Sequence, residues 1–280
     1  MKIIKIMGLL LTAVVLTVAC SKSDDDDDNG GNGGNGGGNG GGSGEVEREW
    51  KPIAESGLDF HIDFNGKDSR PDWQSPSPYD YESWMIYQLT LPFELREMAS
   101  PNDLLAVFIN GELRAVASPA ISQWNNMDDY TYILKILGNN EKSIRQSFAY
   151  KYYSENAHRI FEYHDIGHFI PEEILGVDEE YCLNGLLNEL DDCYPVIYFL
   201  TLELPDDLKP DPEEVDYIVA FVGDECRGIT KFSSQDEVKL RIFGREEGEV
   251  ATLYYVSFGS YTVLKPTISL ENGFDTVYLE

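Results

Sequence analysis

Asp103-Leu-Leu-Ala-Val-Phe108-Ile-Asn-Gly-Glu112-Leu-Arg114-Ala-Val116 returns later in the chain as Asp216-Tyr-Ile-Val-Ala-Phe221-Val-Gly-Asp-Glu225-Cys-Arg227-Gly-Ile229. The offset holds at 113 residues (216 − 103), with Asp, Phe, Glu and Arg identical and the apolar positions in correspondence. Further matches keep the same order. Leu134-Lys-Ile136-Leu-Gly138 echoes Leu240-Arg-Ile242-Phe-Gly244, and Phe148-Ala-Tyr150 echoes Leu253-Tyr-Tyr255. Upstream, Tyr87 to Pro92 resembles Phe199 to Pro205. A repeat whose parts recur in one order points to a duplicated unit.

Each part reads as a strand. Alternation runs through Met85, Tyr87, Leu89 and Leu91 and through Val238, Leu240 and Ile242. Asn110-Gly111 is a two-residue hairpin turn, with Gly223-Asp224 as its counterpart. Pro71 to Pro78 and Pro205 to Pro212 punctuate the strands. The expected fold is all-β: two tandem β-sandwich-like modules, residues 58–183 and 194–280, joined by a connection at 184–193. Leu58, Phe60, Ile62 and Phe64 form a further strand before the first module.

With Asn110-Gly111 at the turn, Phe108 is expected to face Leu113 and Val107 to face Arg114. In the second hairpin Phe221 then faces Cys226 and Ala220 faces Arg227, which makes Cys226 a core thiol. Glu112 and Arg114, like Glu225 and Arg227, share the other face at spacing two. They form either a repeated binding motif or an ion pair at a strand edge whose arginine stem covers apolar surface.

The segment before residue 58 reads as an address and a leash. Lys2 and Lys5 precede an uncharged, mostly apolar stretch from Ile6 to Ala19. That is too short to span a bilayer and suits a signal peptide, residues 1–19. Leu16-Thr-Val-Ala-Cys20 resembles a bacterial lipobox, which implies acylation of Cys20. Plain cleavage after Ala19 is the alternative, because Thr17-x-Ala19 is also a small-x-small site. Asp24 to Asp28 then form an acidic run, which resembles the export signal of Bacteroidetes surface lipoproteins. Asn29 to Gly44 is almost wholly Asn, Gly and Ser, a composition that stays flexible. Residues 20–57 are thus a lipidated Cys and tether. Residues 21–44 alone give an r.m.s. span of roughly 27 Å. A leash of that kind suits capture of something in the surroundings.

The segment Ala220-Phe-Val-Gly-Asp-Glu-Cys-Arg-Gly228, with Pro71-Asp-Trp73 ahead of Pro76, Tyr79 and Trp84, resembles tandem β-modules of Bacteroidetes surface lipoproteins. The resemblance spans about residues 58–280 and implies a module without a settled activity.

The chain carries a formal charge of −29, which repels phosphate backbones and makes nucleic acid an unexpected partner. That charge serves either solubility or recruitment of a cationic ligand. No nucleophile elbow, P-loop or dinucleotide fingerprint occurs, so neither a catalytic residue nor a cofactor is expected. His164-Asp-Ile-Gly-His168 lies outside a clear helix and is not expected to hold a metal. The acidic doublets Asp128-Asp129, Glu172-Glu173 and Asp191-Asp192 lack the periodicity of a calcium loop.

Aromatics offer more. Trp73, Tyr79, Tyr81 and Trp124 sit in or beside turn-rich segments, with Asp128 and Asp129 near Trp124. They suit sugar binding, or else they wedge between strands. Cys182 and Cys193 are left to form a disulfide in an oxidising compartment, or to stay as two thiols. The expected function is a non-catalytic binding or adhesion module, lipid-anchored at the outer membrane and exposed at the cell surface, with glycan as the first ligand class. A structural component that binds protein through an edge strand is the alternative. A glycoside hydrolase accessory domain is a lesser one.

Overall fold

The computed structural model describes residues 48–122, 129–139, 145–177, 181–204, 208, 215–232, 237–271 and 273–278. Cys20 and the tether up to residue 47 lie outside the described residues, as do Trp124 and Asp128, whereas Lys51–Pro52, expected to be tether, pairs with Ser260 and Tyr261.

The fold is all-β. The earlier strands are β1 (Lys51–Pro52), β2 (Ser83–Thr90), β3 (Leu104–Ile109), β4 (Glu112–Ala117), β5 (Ala120–Ser122), β6 (Asp129–Gly138), β7 (Gln146–Ser154), β8 (Arg159–Gly167) and β9 (Ile174–Leu175). A single helical turn, α1 (Phe93–Arg96), sits between β2 and β3. The later strands are β10 (Val196–Glu203), β11 (Asp216–Val222), β12 (Glu225–Phe232), β13 (Glu237–Gly244), β14 (Val250–Ser257), β15 (Ser260–Val263), β16 (Ile268–Ser269) and β17 (Gly273–Tyr278).

The two halves pair their strands alike. In the first, one sheet runs β5-β6-β2-β9 and the other β4-β3-β7-β8. In the second, one runs β13-β10-β17, and the other β1-β15-β14-β11-β12 with β16 also on β14. Each half contains a parallel strand pair, β2 with β9 at Ile86 and Ile174 and β10 with β17 at Phe199 and Phe274. Inward residues of facing sheets meet in each half, as alternation requires. Met85, Leu89, Tyr132 and Leu134 pack with Leu105, Val107 and Tyr152. Leu200, Leu202, Leu240 and Ile242 pack with Ile218, Ala220 and Leu253.

The register corrects the hairpins. Phe108 does face Leu113, and Phe221 faces Cys226, which is buried as expected. Val107, however, faces Ala115 rather than Arg114, and Ala220 faces Gly228 rather than Arg227. A bulge at the same place in both hairpins leaves each arginine unpaired in the ladder and re-aims its side chain. The later echo also shifts by two residues. Tyr152 lies beside Leu105 as Tyr255 lies beside Ile218, so Tyr152, not Tyr150, is the counterpart of Tyr255. Both tyrosines donate to the aspartate at the start of the neighbouring strand, Tyr152 to Asp103 at 2.6 Å and Tyr255 to Asp216. A slip of two residues keeps every side chain on its face, so the sequence alone does not betray it.

The expected strand at Leu58 to Phe64 keeps its alternation of burial, with Ile62 and Phe64 buried, but bends at His61. It joins no sheet beyond one bridge from Asp59 to Glu225. Its neighbours are side-chain faces rather than open strand edges. Phe60 meets Phe221 edge-on, while Phe64 meets Phe161, Tyr194 and Phe243. The connection is likewise core: Leu186, Leu187 and Leu190 are buried in the cluster that also takes in Val219, Phe221 and Phe243.

Candidate functional site

The aromatic residues singled out from sequence do not assemble into one platform among the described residues. Trp73 is half-buried and lies edge-on to Phe108, with ring centroids 6.1 Å apart. Tyr79 stands out in solvent, 96% exposed, at a 3-10 turn that Ser77 caps. Tyr81 is engaged beneath Arg114, whose guanidinium carbon lies 4.6 Å from the ring centre, and its hydroxyl donates to Glu112 at 2.6 Å. Asp129 opens β6 opposite Ser122, and its side chain is outside the described residues.

The disulfide is not formed. Cys182 bridges to Thr90 at the end of β2 and its Sγ contacts Asn184 Oδ1 at 3.4 Å. Cys193 follows the turn at Leu190 and lies against Asp192 and Arg159, where burial pushes its thiol up. The two thiols are taken by different surroundings on either side of the buried 3-10 turn at Asn184–Leu187.

The bulge arginines are clamps rather than an exposed binding motif. Arg114 Nη1 donates to Leu137 O, and Arg227 Nη1 donates to Phe243 O, each at 3.2 Å. Each bond ties the edge strand of one sheet, β4 or β12, to a strand of the facing sheet, β6 or β13. Glu112 and Glu225 hold the same guanidiniums at 3.0 and 2.7 Å. Tyr81 and Tyr194, themselves 113 residues apart (194 − 81), lie under them. Arg227 is 3% exposed, so the expected pairing exists but the arginine is interior.

A site that sequence reasoning missed opens between α1 and the outer face of the β13-β10-β17 sheet. It is a cleft of about 580 Å³ lined by Phe93, Glu94, Asn184, Phe199, Arg241 and Phe274, among others. Phe199 and Phe274 stack with centroids 4.9 Å apart and planes 17° apart, and Phe274 is 83% exposed. Arg241 lies over Phe199 at 5.4 Å and its Nη2 donates to Asn184 O at 3.3 Å. Nη1 stands 3.6 Å from Glu94 Oε1, and each of these side chains is only 10% exposed. Neither Nε nor Nη1 of Arg241 has a hydrogen-bond partner among the described residues. Lys239, Thr201 and Thr230 complete the polar lining, and Lys231 lies 5.5 Å over the Phe93 ring.

The ion pair in the cleft is under-compensated. Burial pushes the Glu94 carboxyl up against the pull of Arg241 and Arg96. Burial pushes Arg241 down against the charges of Glu94 and Cys182. A desolvated pair without good hydrogen bonds leaves both charges poorly satisfied. Glu94 is the one carboxylate among the lining residues, whereas glycoside cleavage ordinarily takes two. The concavity combines a flat apolar platform, Phe199 and Phe274, with the polar groups of Lys239, Thr201 and Thr230. A sequence signal existed. Val238-Lys-Leu-Arg-Ile242 sets two cations on one face of β13, opposite the apolar face.

No family model matches the chain, and no curated protein does. Among solved structures, it is similar to a chain described as "Biofilm associated protein - BSP domain", at 11% identity and a TM-score of 0.19. That match takes in 62% of this chain and 25% of the other, and a likeness so slight carries no argument. Among the described residues no helix is long and apolar enough to cross a membrane.

Proposed function

We propose that this chain is a non-catalytic binding module that takes a glycan in the cleft between α1 and the β13-β10-β17 sheet. It is held at the outer membrane by a lipid on Cys20 and displayed at the cell surface. The observation that carries the ligand class is the stacked Phe199–Phe274 pair at the mouth of a concave site, with Phe274 open to solvent. A sugar ring presents C–H bonds on one face and hydroxyls around its edge. A flat aromatic surface beside fixed polar groups matches both. A glycan array followed by isothermal titration tests the reading. Binding is expected, and Phe274→Ala is expected to abolish it while leaving the circular dichroism and melting temperature unchanged. Loss of binding in Tyr79→Ala instead would move the site to the exposed ring at the 3-10 turn.

The anchor rests on the lipobox-like ending and the acidic, Gly-rich tether. Cys20→Ser is expected to shift the protein from the membrane to the soluble fraction. Protease treatment of intact cells is expected to remove the body. Full protection would place it inside the envelope.

One observation favours strand addition as a second reading. β17 is an edge of its sheet, and Gly-Phe-Asp-Thr-Val-Tyr contains neither Pro nor Lys to guard it. A partner protein that pairs with β17 would be displaced by proline at Thr276, and glycan binding would be absent.

A further inference from the structure

We infer that the glycan site is extended, and that a neutral, linear oligosaccharide of three or more sugars lies along the outer face of β17 with one ring on Phe274 and another on Tyr278. The inference deepens the glycan reading above and rests on it. Alternation divides β17 between two faces. Asp275 and Val277 turn inward, where Asp275 accepts from the Tyr198 hydroxyl and Val277 packs against the second core. Phe274, Thr276 and Tyr278 therefore share the outer face, and all three are exposed. Phe274 lies at the cleft, and the strand leads away from it towards Tyr278. At about 3.3 Å per residue the two aromatic positions stand roughly 13 Å apart. Neighbouring sugars of an extended chain lie less than half that far apart, so engaging both rings takes at least three sugars in a row.

The neighbouring strands continue the pattern in rows. Phe199 and then Arg241 lie beside Phe274, Thr201 and then Lys239 beside Thr276, and Glu203 and then Glu237 beside Tyr278. An aromatic row, a hydroxyl row and a second aromatic row thus succeed one another down one face. Thr201, Thr276 and Lys239 offer two hydroxyls and an ammonium between the rings, where the middle sugar presents its own hydroxyls. At the Tyr278 end Glu203 and Glu237 stand directly opposite each other and both are exposed. Like charges so placed cost a sheet stability, and sugar hydroxyls that donate to them offset that cost. Arg241 takes no part, because its guanidinium is buried against Glu94 and Asn184. The face is cationic at Lys239 and anionic one row further on, at Glu203 and Glu237. A polymer carrying one sign of charge throughout is repelled at one of these rows, whereas a neutral polyhydroxyl chain donates to the carboxylates and accepts from the ammonium.

The test is isothermal titration of the full chain with cello-, manno-, xylo- and malto-oligosaccharides, each as a series from monomer to hexamer. Affinity in at least one series is expected to climb about tenfold or more between dimer and tetramer and then level off. Phe274→Ala is expected to abolish binding at every length. Tyr278→Ala, at an exposed side chain, is expected to cost the tetramer about tenfold, to leave the dimer unchanged and to leave the melting temperature where it was. Glu203→Gln is expected to raise the urea midpoint by relieving the like-charge pair while weakening the tetramer severalfold, a split that a merely structural role does not produce. A dimer that binds as tightly as a tetramer, or a tetramer indifferent to Tyr278→Ala, overturns the inference and leaves the glycan reading standing with a site confined to the cleft. Tighter binding of a uronic-acid or sulfated tetramer than of every neutral one also overturns it and leaves that reading in place. Absence of binding to any oligosaccharide, charged or neutral, overturns the glycan reading itself and the inference with it.

Discussion

Replacing Arg227 by alanine is expected to destabilise the protein far more than replacing Arg114, although the two hold the same place in the two hairpins. Arg227 is 3% exposed and is held by Glu225 through Nε at 3.0 Å and Nη2 at 2.7 Å. It also donates to Phe243 O at 3.2 Å and stands 3.4 Å from Glu249, which is 16% exposed. Removing one member of a buried pair costs about 3–5 kcal/mol. Glu225 is 50% exposed and can rehydrate, so the lower end, about 3 kcal/mol, applies. Arg114 is 12% exposed and its partner Glu112 is 60% exposed, so its loss amounts to one bond to Leu137 O and a screened ion pair. That is about 1 kcal/mol. Urea unfolding followed by tryptophan fluorescence, with both variants fitted at a common slope, measures the difference. Equal costs, or a larger cost at Arg114, would refute the claim that the bulge arginine works by bridging the facing sheets.

Gly228 faces the backbone of β13 so closely that an added Cβ would lie 2.5 Å from Arg241 O. Gly228→Ala is therefore expected to cost roughly 1–3 kcal/mol and to weaken ligand binding together, read by urea midpoint and titration. Stability is expected to respond to pH in two directions. Burial pushes the Glu225 carboxyl up, but Arg227 and Arg245 hold it below its ordinary value, and a hydrogen bond from Arg159 lowers Asp192. Stability from these depressed groups is present above the unfolded pKa and is lost as pH falls through the folded one, below about 4. Glu94 is raised, so it lowers stability as pH climbs past the ordinary glutamate value, and Glu94→Gln is expected to flatten that part of the urea-midpoint profile. Mass spectrometry of unreduced peptides is expected to find Cys182 and Cys193 unlinked, and a linked pair would contradict their separate environments.

Much of the fold was legible because strand physics is local. Alternation located β2 and β13, and Asn110-Gly111 located the first hairpin, where both residues take positive φ, 51° and 83°. The bulges were not legible. An extra residue in a ladder leaves no mark on a turn-anchored alignment, so Arg114 and Arg227 were assigned to a register they do not keep. The shared pairing order, the twin bulges and the matched Tyr–Arg–Glu clamps support the reading of an internal duplication, which superposition of residues 58–183 on 194–280 would test. The cleft was illegible for a different reason. Glu94 and Arg241 are 147 residues apart (241 − 94) and meet only because α1 lies across the later sheet. Conversely, Trp73 and Tyr81 advertised a sugar platform by composition, while the fold spends them on Phe108 and Arg114.

The most direct test of the account is a crystal structure of the chain soaked with the tightest-binding oligosaccharide. The account predicts a sugar ring in the cleft, stacked on the Phe199–Phe274 platform. Sugar density elsewhere, on Tyr79 or along the β17 edge, with the cleft holding only water, would contradict it.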